Sequence, residues 1–341
     1  MQGKHLIGVS LAMLWLGSSN LSQAGSWCAA GKPVKMAGIT WESGQFYAAV
    51  IGEIIRSGYG CQVETVPGST AATETALVNG DLQLWTEQWN RTDIIKKGVE
   101  SGKIKLIGDL LQGGAYEGFF VPDYVIKGDA RRGIKPMAPG LQSVADLPRY
   151  KDLFRDEEEP GKGRFLNCPS GWDCERINTQ KLKAYKLESS YTNFRAGTGS
   201  AMDAAISSAY ARGKPVLFYY WAPATLMGRY KFIQLKEAAY NAKCWPTLQA
   251  NKGEPPCPSA TPATSLQVGI GSQFMAAEPA IVAFINKVKL SPDLLNRTIA
   301  RMSEQKQSPE ATAREFLKQQ PAIWKSWVPA DIALKVQQAV K

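Results

Sequence analysis

Strand-like and helix-like segments alternate along the first third of the chain, and this order constrains the fold more than any other feature. The strand-like runs are 33–40, 61–67 and 82–89, and the helix-like runs are 43–57, predicted to end at Gly58, and 71–79. Strands that alternate with helices predict an α/β fold with a largely parallel sheet and right-handed crossovers. In such sheets, ligands bind at the carboxyl ends of the strands.

A second unit of the same kind is predicted from a strand at 116–122 onward. Residues 123–164 are polar and rich in glycine and proline, and further strand-like and helix-like runs follow. The run 266–276 is predicted to be a strand that returns to the first unit. Two crossovers between two lobes predict a cleft with a hinge behind it. The predicted organisation is a signal at 1–24, lobe one at 25–118 and 269–341, and lobe two at 119–268.

The first 24 residues are typical of an export signal. Lys4 and His5 form its charged head, Leu6 to Leu16 its apolar run, and Ser22 to Ala24 a small-residue cleavage site. The apolar run is much shorter than the roughly 20 residues that a transmembrane helix needs. We therefore predict cleavage near Ala24 and a mature protein that is soluble outside the cytoplasm.

Six cysteines follow the signal, and an even number in an exported chain favours disulfides over a metal site. Six cysteines allow many pairings, among which local spacing favours the short ones. The predicted disulfides are Cys168–Cys174, Cys244–Cys257 and, by elimination, Cys28–Cys61.

The one histidine of the sequence, His5, lies in the predicted signal. A mature chain without histidine excludes Ser-His and Cys-His nucleophilic catalysis and histidine-ligated metal sites. The sequence therefore predicts no metal and no other cofactor. Lysines and arginines outnumber acidic residues by 40 to 30 but are scattered, which is typical of a solvated surface and not of a nucleic-acid site.

Four of the ten tryptophans fall at predicted strand ends or loop tips, namely Trp41, Trp89, Trp172 and Trp221. Tyr116 is a further candidate, whereas Trp85, in the middle of a strand, is predicted to pack in the core. Quaternary ammonium groups have no N–H to donate, so aromatic faces are their natural receptors, at about 1–2 kcal/mol per desolvated contact. A single strand-end aromatic more often packs at a rim, but four on one cleft favour a cage for a methylated amine.

The segment from Cys168 to Cys174 can close a small ring, with Trp172 near its tip and a helix-like run directly after it. Backbone N–H groups of such a ring gather at the helix N-terminus, where anions are favoured. An aromatic face beside an anion site suits a ligand with a bulky cation at one end and a carboxylate at the other.

Five segments carry a resemblance to a known family. They are GITWESG, GDLQLWTEQW, NCPSGWDCE, GKPVLFYYWAP and AREFLKQQPAIWKSW. They resemble the glycine betaine/choline family of substrate-binding proteins of ABC transporters, over nearly all of the mature chain. The resemblance implies the two-lobed fold of type II periplasmic binding proteins, which closes about a hinge on trimethylammonium ligands held in an aromatic box.

The same resemblance implies roles for particular residues. Trp89, Trp172 and Trp221 match positions of the aromatic box, and Trp41 and Tyr116 match positions of its choline-binding branch. The backbone N–H groups of Trp172 and Asp173 are implied to hold a ligand carboxylate.

One position departs from the family. In betaine-binding members with the cysteine ring, a histidine four residues after the first box tryptophan helps to bind the carboxylate, whereas this chain has Asp93 there. An inward-pointing aspartate would repel that carboxylate, which favours choline, carnitine or another methylated amine over glycine betaine. Glu42, Glu87 and Glu117 also fall near the predicted cleft, either as solvated rim charges or beside the cation.

The sequence thus predicts a monomeric periplasmic solute-binding protein that delivers a quaternary ammonium compound to an inner-membrane ABC permease, without catalysis. Two alternatives remain open at this point. One is an exported hydrolase or lyase that uses carboxylates to act on a methylated amine. The other is a binding protein that serves a chemoreceptor.

Overall fold

The computed structural model describes residues 26–89, 92–250 and 255–341. The predicted signal at 1–24 lies outside the described residues. Ten strands occur in the described ranges: β1 (Val34–Gly38), β2 (Val63–Pro67), β3 (Leu84–Gln88), β4 (Ile104–Ile107), β5 (Tyr116–Pro122), β6 (Gly163–Asn167), β7 (Tyr191–Arg195), β8 (Leu217–Ala222), β9 (Phe232–Gln234) and β10 (Gln267–Gly271). None of the helices in the same ranges is long and apolar enough to cross a membrane.

The described helices are α1 (Ser26–Ala29), α2 (Glu42–Tyr59), α3 (Thr70–Asn79), α4 (Asp93–Glu100), α5 (Asp123–Lys127), α6 (Asp173–Ala184), α7 (Gly199–Ala211), α8 (Thr225–Arg229), α9 (Trp245–Gln249), α10 (Ser272–Ala277), α11 (Pro279–Ile285), α12 (Pro292–Glu304), α13 (Pro309–Gln319), α14 (Pro321–Trp324) and α15 (Ala330–Ala339). Short 3-10 turns lie at Ala130–Arg132, Val144–Tyr150 and Lys325–Trp327.

The strands form two five-stranded sheets, with the orders β2-β1-β3-β10-β4 and β7-β6-β8-β5-β9. In the first sheet β1 is parallel to β2 and β3, whereas β10 is antiparallel to β3 and β4. In the second, β6 is parallel to β7 and β8, whereas β5 is antiparallel to β8 and β9. Both sheets are therefore mixed rather than largely parallel, because each combines parallel strands with antiparallel strand pairs.

Each sheet has its own hydrophobic core, and we call the two parts lobe one and lobe two. The C-terminal helices belong to lobe one, where Phe316 on α13 packs edge-on against Phe46 on α2 with ring centroids 5.4 Å apart. Trp324 and Trp327 are buried in that core, as expected for packing residues. Lobe two has a separate core around β5, β6 and β8.

The chain crosses between the lobes twice, from β4 to β5 and from β9 to β10. The predicted lobe boundaries at 118 and 268 fall inside strands, since β5 lies wholly in the second sheet and β10 in the first. The two crossing segments are joined to each other, because Ala115 and Thr264 exchange backbone hydrogen bonds of 2.8 and 3.2 Å. This bridge lies where the predicted hinge would be.

Several predicted boundaries shift for identifiable reasons. Helix α2 runs past Gly58, because this glycine is a packing position: a Cβ there would lie 2.7 Å from Ile332 of α15. The helix instead ends at Gly60, which adopts the left-handed conformation with φ 74°. The predicted strand at 266–276 ends at Gly271, and Ser272 begins a helix.

The N-terminus of α7 is capped by Thr198, whose hydroxyl accepts a hydrogen bond of 3.1 Å from the backbone N–H of Ala201. Ser200 and Asp203 have the spacing of an N-cap pair but do not cap the helix. The Asp203 carboxylate instead accepts a hydrogen bond of 2.9 Å from the hydroxyl of Tyr220. Elements α4, β4 and α15 were not predicted.

Three disulfides join Cys28 to Cys61, Cys168 to Cys174 and Cys244 to Cys257. All three are the pairs predicted from the sequence, two by local spacing and Cys28–Cys61 by elimination. The first fastens the start of the described chain to the end of α2, and the second encloses the loop that precedes α6.

Candidate functional site

A cavity lies between the two lobes at the carboxyl ends of β1, β3 and β6. Its lining is, from lobe one, Trp41, Thr70, Glu74, Trp85, Gln88, Trp89 and Thr92, and, from lobe two, Glu117, Trp172, Asp173, Cys174, Tyr219 and Trp221. Its volume is about 60 Å³, on a measure in which one buried water needs about 10–15 Å³. The cavity therefore suits a single small molecule.

Indole rings from both lobes form a continuous wall. The ring centroids of Trp41 and Trp172 are 5.7 Å apart with the planes at 73°, and those of Trp172 and Trp221 are 5.5 Å apart at 75°. Trp85 extends the wall behind Trp41 at 5.6 Å, so this residue, predicted to be core only, also lines the cavity. Near-perpendicular rings present faces in several directions, which is the geometry that can surround a compact cation.

Local structure explains how these rings reach one place. Trp41 follows β1 and caps the N-terminus of α2, and Trp172 follows β6 and caps α6. Trp89 directly follows β3, and Trp221 lies near the end of β8. All four sit at or just beyond the carboxyl ends of strands, where the two sheets face each other.

The disulfide ring fixes the backbone around Trp172. Pro169 accepts a backbone hydrogen bond of 3.2 Å from the N–H of Trp172, which closes a turn with Gly171 at φ 89°. That φ favours glycine, because a Cβ is disfavoured there. The N–H of Trp172, implied by the resemblance to hold a ligand carboxylate, is therefore already used within the ring. The N–H groups of Asp173 and Cys174 belong to the first turn of α6, which offers them no intrahelical acceptor.

The lobes touch each other beside the cavity. The indole N–H of Trp172 donates to the hydroxyl of Thr40 at 2.9 Å, and the hydroxyl of Thr225 donates to Glu42. A Cβ on Gly199 of lobe two would lie 3.9 Å from the backbone oxygen of Thr40 in lobe one. These contacts join lobe two to lobe one, so the structure is in a closed arrangement.

Buried carboxyl groups surround the rings. Glu74 on α3 lines the cavity, is 1% exposed and accepts a hydrogen bond of 2.6 Å from Thr92. Glu117 on β5 lines it from lobe two and accepts a hydrogen bond from the hydroxyl of Tyr219. Glu87 lies behind Trp41 and Trp89 and is fully buried. Burial raises the pKa of Glu74 to about 7 and that of Glu87 to about 7.

The three glutamates proposed from sequence therefore occupy different places. Glu117 lines the cavity, Glu87 lies one ring behind it, and Glu42 takes part in the contact between the lobes. Burial raises the pKa of Glu42, so none of the three is a solvated rim charge. Glu74 was missed, although it is the one charged residue in the helical segment TAATETALVN.

Tyr116 does not line the cavity, contrary to the prediction from the resemblance. Side chains alternate between the two faces of a strand. Glu117 on β5 points into the cavity, so its neighbour Tyr116 points away, and its ring is 51% exposed.

Asp93 also lies outside the cavity lining. It is the first residue of α4, its side chain is exposed, and the preceding residue, Thr92, caps the helix and faces the cavity instead. The repulsion predicted for an inward-pointing aspartate therefore does not arise from this residue. Carboxyl groups do face the cavity, but they are those of Glu74 and Glu117.

Comparison with known proteins agrees with this architecture. A family model described as the substrate binding domain of an ABC-type glycine betaine transport system matches residues 32–319. The glycine betaine/proline betaine-binding periplasmic protein of Escherichia coli (strain K12) is 36% identical over 85 residues, or 24% of this chain and 25% of that protein. The chain thus matches about a quarter of the length of the first curated relatives.

Solved structures share the fold over nearly the whole chain. An ABC-transporter choline binding protein in complex with choline has a TM-score of 0.71 at 16% identity, covering 92% of this chain and 99% of that one. The glycine betaine/L-proline-binding protein of Borrelia burgdorferi has a TM-score of 0.69 at 18% identity, covering 89% and 100%. The predicted two-lobed α/β fold of periplasmic binding proteins is confirmed. The chain belongs to the family of substrate-binding domains of ABC-type glycine betaine transport systems.

Proposed function

We propose that this protein is the solute-binding component of an ABC importer and captures a quaternary ammonium compound, such as choline, glycine betaine or carnitine, between its lobes. The observation that carries the proposal is the wall of indole rings contributed by both lobes. Trp41 and Trp89 come from lobe one, and Trp172 and Trp221 from lobe two. A ligand that contacts all four rings would tie the lobes together, so binding and closure become one event.

The lining favours a cation over a neutral or anionic group. Glu74 and Glu117 face the cavity and Glu87 lies behind its rings, while arginine and lysine side chains are absent from the described lining. A methylated ammonium needs no hydrogen-bond partner and gains from both ring faces and nearby carboxylates. An ammonium with N–H groups would leave donors facing aromatic carbon.

The second end of the ligand would meet the start of α6. The backbone N–H groups of Asp173 and Cys174 are suited to a carboxylate or a hydroxyl oxygen. Glu74 lies at the same cavity and can accept a hydrogen bond from a hydroxyl. A hydroxyl group of the ligand can therefore accept from the backbone N–H groups of α6 and donate to Glu74. A ligand carboxylate can accept from the N–H groups, but it can pair with Glu74 only if Glu74 is protonated. This arrangement supports choline at least as well as glycine betaine.

The remaining parts of the proposal follow from family membership. The relative from Escherichia coli is a periplasmic protein, which supports export of this chain; the cleavage site near Ala24 is proposed from the small residues Ser22 to Ala24. An inner-membrane permease would receive the ligand from the closed monomer. We propose no catalytic step, because a binding component has only to hold and release its ligand.

A ligand screen tests the proposal. Binding to the folded state raises apparent stability, so choline, glycine betaine and carnitine are compared with free amino acids by thermal shift and then by calorimetry. At least one quaternary ammonium compound is expected to bind, and Trp221→Ala and Trp172→Ala are each expected to weaken it about 100-fold.

The matched control is Trp27→Ala, since this partly buried ring packs on Phe274 away from the cavity. It should retain wild-type affinity. Normal binding by folded Trp172→Ala and Trp221→Ala proteins, or no binding of any methylated amine by the wild type, would contradict the proposal.

A further inference from the structure

One oxygen of Glu87 accepts hydrogen bonds from two of the three indoles that lobe one contributes to the cavity. Its Oε1 accepts from the indole N–H of Trp41 at 2.7 Å and from that of Trp89 at 3.3 Å. The hydroxyl of Ser43 donates to the same oxygen at 2.8 Å. The side chain is fully buried, so these three donors replace water at Oε1, whereas Oε2 has no hydrogen-bond partner among the described residues. A single acceptor thus fixes the orientation of two cavity rings.

The backbone is distorted at this position in a way that aims the side chain. Glu87 has φ 54°, in the left-handed region that non-glycine residues seldom adopt. The pairing of β3 with β10 slips by one residue here, from Trp85 opposite Gly269 to Gln88 opposite Gln267. Side chains of a regular strand point alternately to the two faces of the sheet, and such a bulge changes the direction of one of them. The strain persists because the three donors and the surrounding packing hold it.

We propose that Glu87 is a positioning residue that holds Trp41 and Trp89 in their cation-binding orientation and places a negative charge directly behind them. The inference rests on the proposed function and adds a specificity determinant to it. A carboxylate that accepts from an indole N–H makes the ring more electron-rich, and its own charge attracts the ligand through a medium of low dielectric. Glu87 therefore selects for the charge of the ligand and not only for its shape.

Glu87 differs from Glu74 and Glu117 in its position relative to the cavity. Glu74 and Glu117 line the cavity and can contact the ligand; Glu74 accepts a hydrogen bond from Thr92, and Glu117 accepts one from the hydroxyl of Tyr219. Glu87 contacts Trp41 and Trp89 and is separated from the cavity by their rings. Its effect must therefore pass through the rings and through space.

Two variants separate the two roles. Glu87→Gln keeps an oxygen acceptor for the indoles and removes the charge, whereas Glu87→Asp keeps the charge and withdraws the acceptor by one methylene. Each is titrated at about pH 8, above the pKa of about 7 for Glu87, with choline and with its neutral analogue, in which a tert-butyl group replaces the trimethylammonium group. Glycine betaine and its tert-butyl analogue are run in parallel.

We expect Glu87→Gln to weaken binding of the cation at least about tenfold and to leave the neutral analogue within about twofold. Glu87→Asp should weaken both ligands by similar factors, because it disorders the rings. Glu278→Gln is the matched control, since this buried glutamate accepts from the N–H of Cys28 away from the cavity. Thermal unfolding verifies that each variant is folded.

Equal losses for the cation and the neutral analogue in Glu87→Gln, or an unchanged preference for the cation, would overturn the inference while leaving the proposed function intact. A wild-type protein that binds neither of these cations nor any other methylated amine would overturn the proposed function and the inference with it.

Discussion

The two walls of the cavity carry similar rings but hold them by different means. In lobe one, Trp41 and Trp89 are held by hydrogen bonds to the buried carboxyl of Glu87. In lobe two, Trp172 lies at the tip of a disulfide ring, and Trp221 packs on the ring of Tyr220 at 4.6 Å. One wall is held by polar groups that respond to charge, and the other by a covalent link and apolar packing.

The two walls should therefore be sensitive to different changes. A change of charge or protonation acts first on lobe one, whereas loss of the disulfide acts first on lobe two. The walls meet at Trp41, Thr40 and Trp172, but the groups that hold each wall lie in its own lobe, so each wall can be perturbed by a separate substitution.

Removal of the Cys168–Cys174 disulfide should have the largest effect in this comparison. Closing so short a loop stabilises the folded state by about 2 kcal/mol, so the Cys168→Ala/Cys174→Ala variant should lose about that much free energy of unfolding in denaturant titrations. Binding should also weaken by up to about tenfold, because Trp172 must then be ordered at the moment of binding.

The control is Cys244→Ala/Cys257→Ala, whose disulfide closes a loop away from the cavity. It should lose stability and keep its affinity. A Cys168→Ala/Cys174→Ala protein with wild-type affinity would show that packing alone holds the second wall.

A smaller effect on the walls of the cavity is expected from pH, which acts on the stability of the whole protein. Burial raises the pKa of Glu74, Glu87 and Asp203 to about 7 each, and the charge of Glu42 adds to the rise at Asp203. Between the ordinary pKa of these groups and about 7 the folded state binds more protons than the unfolded state, so the free energy of unfolding falls as the pH rises. The contribution of these carboxyls to the free energy of unfolding is complete below their pKa in the unfolded state. It decreases as the pH rises to about 7 and is constant at higher pH.

Thermal unfolding of the ligand-free protein should therefore occur at a higher temperature at about pH 5 than at about pH 8. Asp156 does not offset this, because the Arg164 hydrogen bond lowers its pKa to about 2 and moves its contribution to more acidic conditions. An unfolding temperature that rises between the two pH values would contradict the burial of these carboxyls.

The smallest effect is expected at Asp93. The sequence suggests that Asp93→His should shift preference toward ligands with a carboxylate. The exposed position of Asp93 at the start of α4, outside the cavity lining, predicts instead that the ratio of choline to glycine betaine affinity changes by less than about twofold. A larger shift toward glycine betaine, measured by calorimetry, would place this side chain at the ligand.

The sequence was sufficient for the architecture and for four of the indole rings that surround the cavity. Strand and helix periodicities are local signals, and the ends of strands can be located from them. The return of β10 to the first sheet was predictable for the same reason, although its antiparallel direction depends on a partner far away in the chain.

Details of the site depend on contacts that a single sequence does not display. The bulge that redirects Glu87 arises from pairing with β10, nearly two hundred residues later. The N–H of Trp172 donates to the backbone oxygen of Pro169 in the turn within the disulfide ring, so it is not free for a ligand. The opposite orientations of Tyr116 and Glu117 require knowing which face of β5 meets the cavity, and the strand sequence alone leaves both faces open.

The most direct test of the cage is a crystal structure of the protein with choline or glycine betaine bound. The ammonium nitrogen should lie between the lobes, within about 6 Å of the ring centroids of Trp89, Trp172 and Trp221, with the lobes closed as they are here. A bound ammonium group that lies outside these rings, or that contacts the rings of one lobe only, would contradict it.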